Sequence, residues 1–110
     1  IAACDGVIFL AFDKKKIVGC IVGIIERQSK KDLLECVPTR TGRILELFVS
    51  DNYKSCGIGR RLMKKIEAYF RKKKCDVLQV EVFVPNTRAR NFYTKLQYHD
   101  RMIDMIKVLK

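Results

Sequence analysis

With 110 residues, 48% hydrophobic and 32% charged, the chain suits one domain burying about 60 to 70 per cent of its unfolded surface, and it is too apolar to be disordered. Its longest apolar run, Ile17 to Ile25, falls far short of the roughly 18 residues a membrane span needs, so a soluble protein with no membrane partner is expected. A net charge of +11 points instead to an anionic ligand or partner.

Taken in chain order, Ile1 to Gly6 carries no pattern. Val7 to Phe12 reads as a strand, Asp13 to Lys16 as a polar turn and Ile17 to Glu26 as a second strand, together an antiparallel hairpin. Arg27 to Gly42 is polar, with Pro38 and Gly42 as breakers, and reads as a loop. Arg43 to Val49 is apolar on both faces, as a central strand should be. A glycine-bearing turn follows and runs into a helix reaching about Lys74. Val77 to Val84 is the next strand, stopped by Pro85; a helix capped by Asn86 or Thr87 then carries Ala89, Phe92, Tyr93 and Leu96 at i, i+3, i+4 and i+7. Met102 to Leu109 fits either a strand or a helix.

The five cysteines include no Cys-x-x-Cys pair and have a single histidine for company, so no metal site is expected. Their odd count argues against a disulfide framework and for a cytoplasmic setting. No signal peptide is visible, although the first residue is Ile rather than Met, which leaves room for a segment removed upstream.

Charge is concentrated between Lys54 and Lys74, where nine basic residues face one acid, Glu67. At about 100° per residue, Arg60, Arg61, Lys64, Lys65, Arg71 and Lys72 share one arc, while Ile58, Leu62, Met63, Ile66, Tyr69 and Phe70 share the opposite one. The basic arc is either a solvated face or a surface that steers a polyanion.

The turn Lys54-Ser55-Cys56-Gly57-Ile58-Gly59-Arg60 places two residues without a Cβ at a helix start. Backbone amides there can approach an anion, and the helix dipole favours it. A dinucleotide fingerprint would need Gly or Ala where Leu62 stands, and a P-loop would need Gly-Lys-Ser/Thr at its close. The spacing Lys54-x-x-Gly57-x-Gly59 resembles instead the Q/R-x-x-G-x-G/A motif of the GNAT superfamily of acetyl-CoA-dependent N-acetyltransferases. Asn86-x-x-Ala89-x-x-Phe92-Tyr93 resembles that family's second signature. The chain departs from the pattern at Lys54, at Ser55-Cys56, where Gly-Lys or Gly-Arg is more usual, and at Gln97, which replaces a common Gly.

The resemblance implies an α/β (α+β) fold, a mixed, mostly antiparallel sheet flanked by helices with two splayed central strands, built as a single domain over residues 1–110. It implies acetyl-CoA as co-substrate, its pantetheine arm against the backbone of Leu47, Phe48 and Val49, and its pyrophosphate on the amides from Cys56 to Arg60. Lys54, Ser55, Asn86, Phe92 and Tyr93 complete the expected contacts. By the same comparison Met102 to Leu109 is a strand, and the family's usual first strand and early helices are not found ahead of Val7. The sheet edge at Val7 to Phe12 would then be open to a homodimer or another partner.

Transfer of acetyl to an amine needs a neutral nucleophile and a proton for the departing thiolate. An alkyl amine is neutral about once in a few thousand molecules at pH 7, so a base or a desolvating pocket is worth several kcal/mol. Tyr93 matches the family's tyrosine at the thiolate and is the candidate acid, with a place in the core as the alternative. Asn86 is a cofactor contact or simply a helix cap. Glu46 and Glu81, carboxylates within predicted central strands, are candidate bases or else ion-paired or exposed. Cys56 is a candidate for a lowered thiol pKa or mere filler, and His99 is expected to be exposed.

The acceptor is an amine-bearing small molecule or protein. Two other readings compete. A small basic nucleic-acid or ribosome-binding domain suits the charge, but the chain has neither an RNA-recognition aromatic signature nor a KH-type Gly-x-x-Gly turn. A GNAT-like domain that binds coenzyme A without turnover is the other.

Overall fold

The structure, a computed structural model, describes residues 6–26 and 40–110. Four strands form one sheet in sequence order: β1 (Gly6–Asp13), β2 (Lys16–Glu26), β3 (Thr41–Val49) and β4 (Val77–Val80). β1 with β2 and β2 with β3 are antiparallel, and β3 with β4 is parallel. Two helices follow the turns: α1 (Ile58–Lys72) between β3 and β4, and α2 (Thr87–Lys95) after β4. This is the mixed α+β architecture expected from the sequence.

The hairpin forms where two apolar runs parted by the polar Asp13 to Lys16 predict it. Val7, Phe9 and Ala11 of β1 turn toward the core, while Ile8, Leu10 and Phe12 are exposed on the other face of an edge strand. β2 buries Ile21 and Ile25 on the face that α1 covers, and α1 answers with Leu62, Met63, Ile66 and Phe70. Two glycines let the helix lie close. A Cβ on Gly23 would stand 2.7 Å from Ile66 and 2.8 Å from Phe70, and one on Gly42 would stand 2.6 Å from the Phe70 ring. Gly42 is therefore not a breaker but a β3 residue on which Phe70 rests; the rest of the expected loop, residues 27–39, lies outside the described residues.

β3 changes face midway. Its pairing with β2 jumps from Val22–Glu46 to Gly23–Ile44, so Leu45 is an extra residue, a β-bulge. Before it Gly42 and Ile44 are buried; at it Leu45 and Glu46 are both exposed; after it Leu47 and Val49 are the more buried pair. The strand is thus not apolar on two buried faces, as its composition suggested.

Two expected strands are corrected. β4 ends at Val80 rather than Val84, because its ladder with β3 stops at the Ile44–Val80 pair and Glu81 to Val84 have no strand beside them among the described residues. Met102 to Leu109 forms neither strand nor helix: it has no ladder partner among the described residues, and Met102, Ile103, Met105 and Ile106 are exposed. A strand without a neighbour leaves its backbone groups to water.

α2 is fastened to α1 by aromatic residues. Tyr93 lies edge-to-face with Phe92 and Tyr98, at centroid distances of 5.1 and 5.7 Å, and the Tyr98 hydroxyl donates to Glu67 Oε2 at 2.7 Å. Burial first, then the Glu67 bond, pushes the Tyr98 phenol well above its ordinary value. The folded state keeps a proton that the unfolded chain releases above about pH 10, so this stabilisation is complete below that pH and is lost as pH rises toward the folded pKa. Thermal melts should show stability declining above about pH 10, and Tyr98→Phe should flatten that decline while costing about 1–2 kcal/mol at neutral pH. An alkaline decline equally steep in the variant would contradict the assignment.

Candidate functional site

The site begins where the β3–β4 ladder ends. From Leu45 to Val49, β3 keeps β2 on one side and has no strand on the other among the described residues. Just beyond β3, the Ser50 N–H donates to the Val18 carbonyl at 2.8 Å. Because backbone groups alternate sides along a strand, Leu47 and Val49 turn theirs to the open edge, and Phe48 turns its own toward β2. The open edge can accept an extended ligand as an added strand.

β3 leads through a 3-10 turn, Asp51–Tyr53, into the glycine turn. Tyr53 anchors it by donating its hydroxyl to Asp13 of the hairpin, and Lys54 pairs with Asp51 at 3.1 Å. Ser55 and Gly57 both have left-handed backbones, with φ of 67° and 84°. α1 then starts without a side-chain cap and without an acid in its first turn. The amides of Gly57, Ile58, Gly59 and Arg60 have no acceptor among the described residues, whereas the Cys56 amide is directed at the Tyr53 carbonyl, 3.4 Å away. Four free donors at a dipole's positive end suit a phosphate group. A Cβ on Gly59 would meet Phe92 at an ordinary contact distance of 3.4 Å, so Gly59 lies beside α2.

On the other wall, Asn86 caps α2, its side-chain oxygen accepting from the Ala89 amide at 3.1 Å; its carboxamide nitrogen remains available. Phe92 and Tyr93 are partly buried against the core, and burial raises the Tyr93 phenol above its ordinary pKa. The Tyr93 hydroxyl has no hydrogen-bond partner among the described residues. Glu46 sits exposed at the bulge and makes no ion pair among them. Glu81 is held by Arg43 at 3.0 Å. His99 is exposed, and with Arg90, Thr94, Gln97, Tyr98 and Asp100 it lines a shallow hollow near the end of α2 rather than the glycine turn.

Residues 1–98 match the acetyltransferase (GNAT) family. The chain belongs to that family. A relative from Methanocaldococcus jannaschii, named as an uncharacterized N-acetyltransferase, is 38% identical over 63 residues, which are 56% of this chain and 40% of the relative. The BH1408 protein from Bacillus halodurans, in the crystal structure of a mutant, has the same fold at a TM-score of 0.88 and 24% identity, over 96% of this chain and 66% of its own. Glucosamine-6-phosphate N-acetyltransferase from Arabidopsis thaliana superposes at 0.75 and 18% identity, over 96% of this chain and 68% of its own. The GNAT chain here therefore spans 40% of the curated relative's length and 66% of the Bacillus halodurans chain.

One residue of this GNAT site escaped the sequence reading. Arg43 bonds Glu26 on β2 at 3.0 Å and Glu81 beyond β4 at 3.0 Å, so one guanidinium ties three segments together at the mouth of the opening. The Glu26 bond, helped by Glu81, raises its pKa further above the usual arginine value. A cation at the start of a mostly apolar strand was the available signal. The left-handed pair in the turn gives a direct test. Ser55→Gly, which relieves a strained φ, should stabilise by about 0.5 kcal/mol, and Gly57→Ala, which imposes one in open space, should destabilise by about 1 kcal/mol. Denaturant melts moving both variants in one direction would refute this description of the turn.

Proposed function

We propose that this GNAT domain transfers an acetyl group from acetyl-CoA to a primary amine. The observation that carries the reading is the uncapped, acid-free start of α1 directly continuing the open edge of β3, which fits an extended polyanionic ligand from phosphate to arm. The amides of Gly57 to Arg60 would hold the pyrophosphate, with Lys54, Ser55, Cys56 and the Arg60 side chain beside it. The backbone of Leu47 and Val49 would hold the pantetheine arm, with Phe48 between them; Asn86 and Phe92 would line the opposite wall. When bound, acetyl-CoA supplies an activated thioester, and the domain's part is to fix it, desolvate the amine and move protons.

Tyr93 is the proposed proton donor to the departing sulfur. Its burial keeps the phenol protonated at neutral pH but also makes full proton transfer costlier, so it would act as a hydrogen-bond donor as the thiolate develops. For the base, Glu46 is favoured over Glu81, because Arg43 already engages the Glu81 carboxylate. The acceptor is an amine-bearing small molecule or protein. Release of free thiol from acetyl-CoA with a panel of amines tests the reading. Tyr93→Phe should lower turnover by about 10² to 10⁴ and leave acetyl-CoA affinity nearly unchanged. A variant retaining most of its turnover would return Tyr93 to the core, and a chain that binds acetyl-CoA but turns over no amine would be a binding domain instead.

A further inference from the structure

The water face of α1 carries Arg60, Arg61, Lys64, Lys65, Arg71 and Lys72, and Lys73 and Lys74 continue it, all exposed. None of these eight has a carboxylate within ion-pairing distance among the described residues. Seven of the described acids are committed elsewhere: Glu26 and Glu81 to Arg43, Asp51 to Lys54, Asp100 to Arg90, Asp13 to Tyr53, Asp76 to the Arg40 amide, and Glu67 to Tyr98; Glu46, on β3, and Asp104 are unpaired among the described residues and do not pair with these cations. What remains is a ridge along the helix face about 18 Å long bearing six positive charges, with Lys73 and Lys74 just past its end. Within the helix they form two rows about 100° apart, Arg60, Lys64 and Arg71 in one and Arg61, Lys65 and Lys72 in the other.

We propose that this ridge docks on the phosphate backbone of a nucleic-acid duplex, a function distinct from acetyl transfer that shares only Arg60 with the proposed coenzyme site and does not rest on that reading. Its charges fall about every 3 Å along the helix, close to the roughly 3.4 Å between phosphates along one strand of a duplex, and two rows on a helix about 10–12 Å wide can reach phosphates on both sides of a groove. The face has no exposed large hydrophobic residue from Ile58 to Asp76, so it lacks the apolar anchors on which protein interfaces depend. Its apolar side is buried in the core, which removes the part an amphipathic helix inserts into a lipid surface. It also offers no free aromatic platform for single strands, since Tyr69 is packed between Phe9 and Phe70 with Lys73 over its ring. Recognition would be of charge and shape, without base readout.

The test is fluorescence anisotropy with a labelled duplex DNA of about 20 base pairs across a range of salt, run on the chain and on a variant with Arg61, Lys64, Arg71 and Lys72 all changed to Ala. These positions are exposed, and Ala keeps the helix. The parent chain should bind with a log–log salt slope of about −4 to −5, and the variant should lose at least about tenfold in affinity and some 3 to 4 units of that slope. No binding at about 50 mM salt, or equal binding by a variant whose helical circular dichroism is unchanged, would overturn the proposal. So would tighter binding to a single strand of the same length, to polyglutamate, or to phosphatidylserine vesicles.

Discussion

The candidate site depends on the early end of the β3–β4 ladder. Parallel pairing runs only from Thr41–Val77 to Ile44–Val80, while β3 continues to Val49 on β2 alone. An edge of unpaired amides and carbonyls within a sheet is costly unless water or a ligand meets it. Two features hold it open. The bulge at Leu45 turns β3 over at the residue after the last pair, and Arg43 fixes Glu81 at the point where β4 ceases to be a strand. The same strand then runs into the turn that exposes four amides at the start of α1, so an extended edge and an anion seat are consecutive along the chain.

α1 joins the two halves of the domain because its faces do different work. Phe70 and Ile66 sit on the hollows at Gly23 and Gly42, burying side chains worth about 1.5–3 kcal/mol each, and this fixes where the first turn of the helix points. The opposite face keeps six cations in water, with Lys73 and Lys74 just past its end, at the cost of their mutual repulsion, a cost the buried face outweighs. Glu67, the helix's one acid, is turned aside to Tyr98 and does not relieve them.

How far the sequence could be read differs by element. The hairpin, α1 and α2 were legible because each rests on a local pattern: two apolar runs parted by the polar Asp13 to Lys16, and a helical stripe in Ile58 to Phe70 and in Ala89 to Leu96. Glycine had two meanings that composition cannot separate. Gly57 is a true turn residue at φ 84°, whereas Gly42 is in a strand because Phe70, 28 positions later, needs its missing side chain. The start of β4 at Val77 was read correctly, but its early end at Val80 and the irregular state of Met102 to Leu109 were not legible, since a run of β-favouring residues does not state whether a neighbour exists. Arg43 was missed for a similar reason: its partners, Glu26 on β2 and Glu81 beyond β4, are distant in sequence. Gln97 and Ser55, which depart from the family's usual glycines, both adopt positive φ, so the resemblance gave the backbone even where it missed the residue.

The central claim is that one ligand spans the open edge of β3 and the start of α1. Titration of the isotope-labelled chain with coenzyme A, followed by amide chemical shifts, tests it most directly. The amides of Gly57 to Arg60 and of Leu47 and Val49 should shift together, with one saturation curve, while those of β1 and of residues 97–100 stay still. Shifts confined to the basic residues along α1, with Leu47 and Val49 unmoved, would mean that coenzyme A is held by charge alone and would contradict the account.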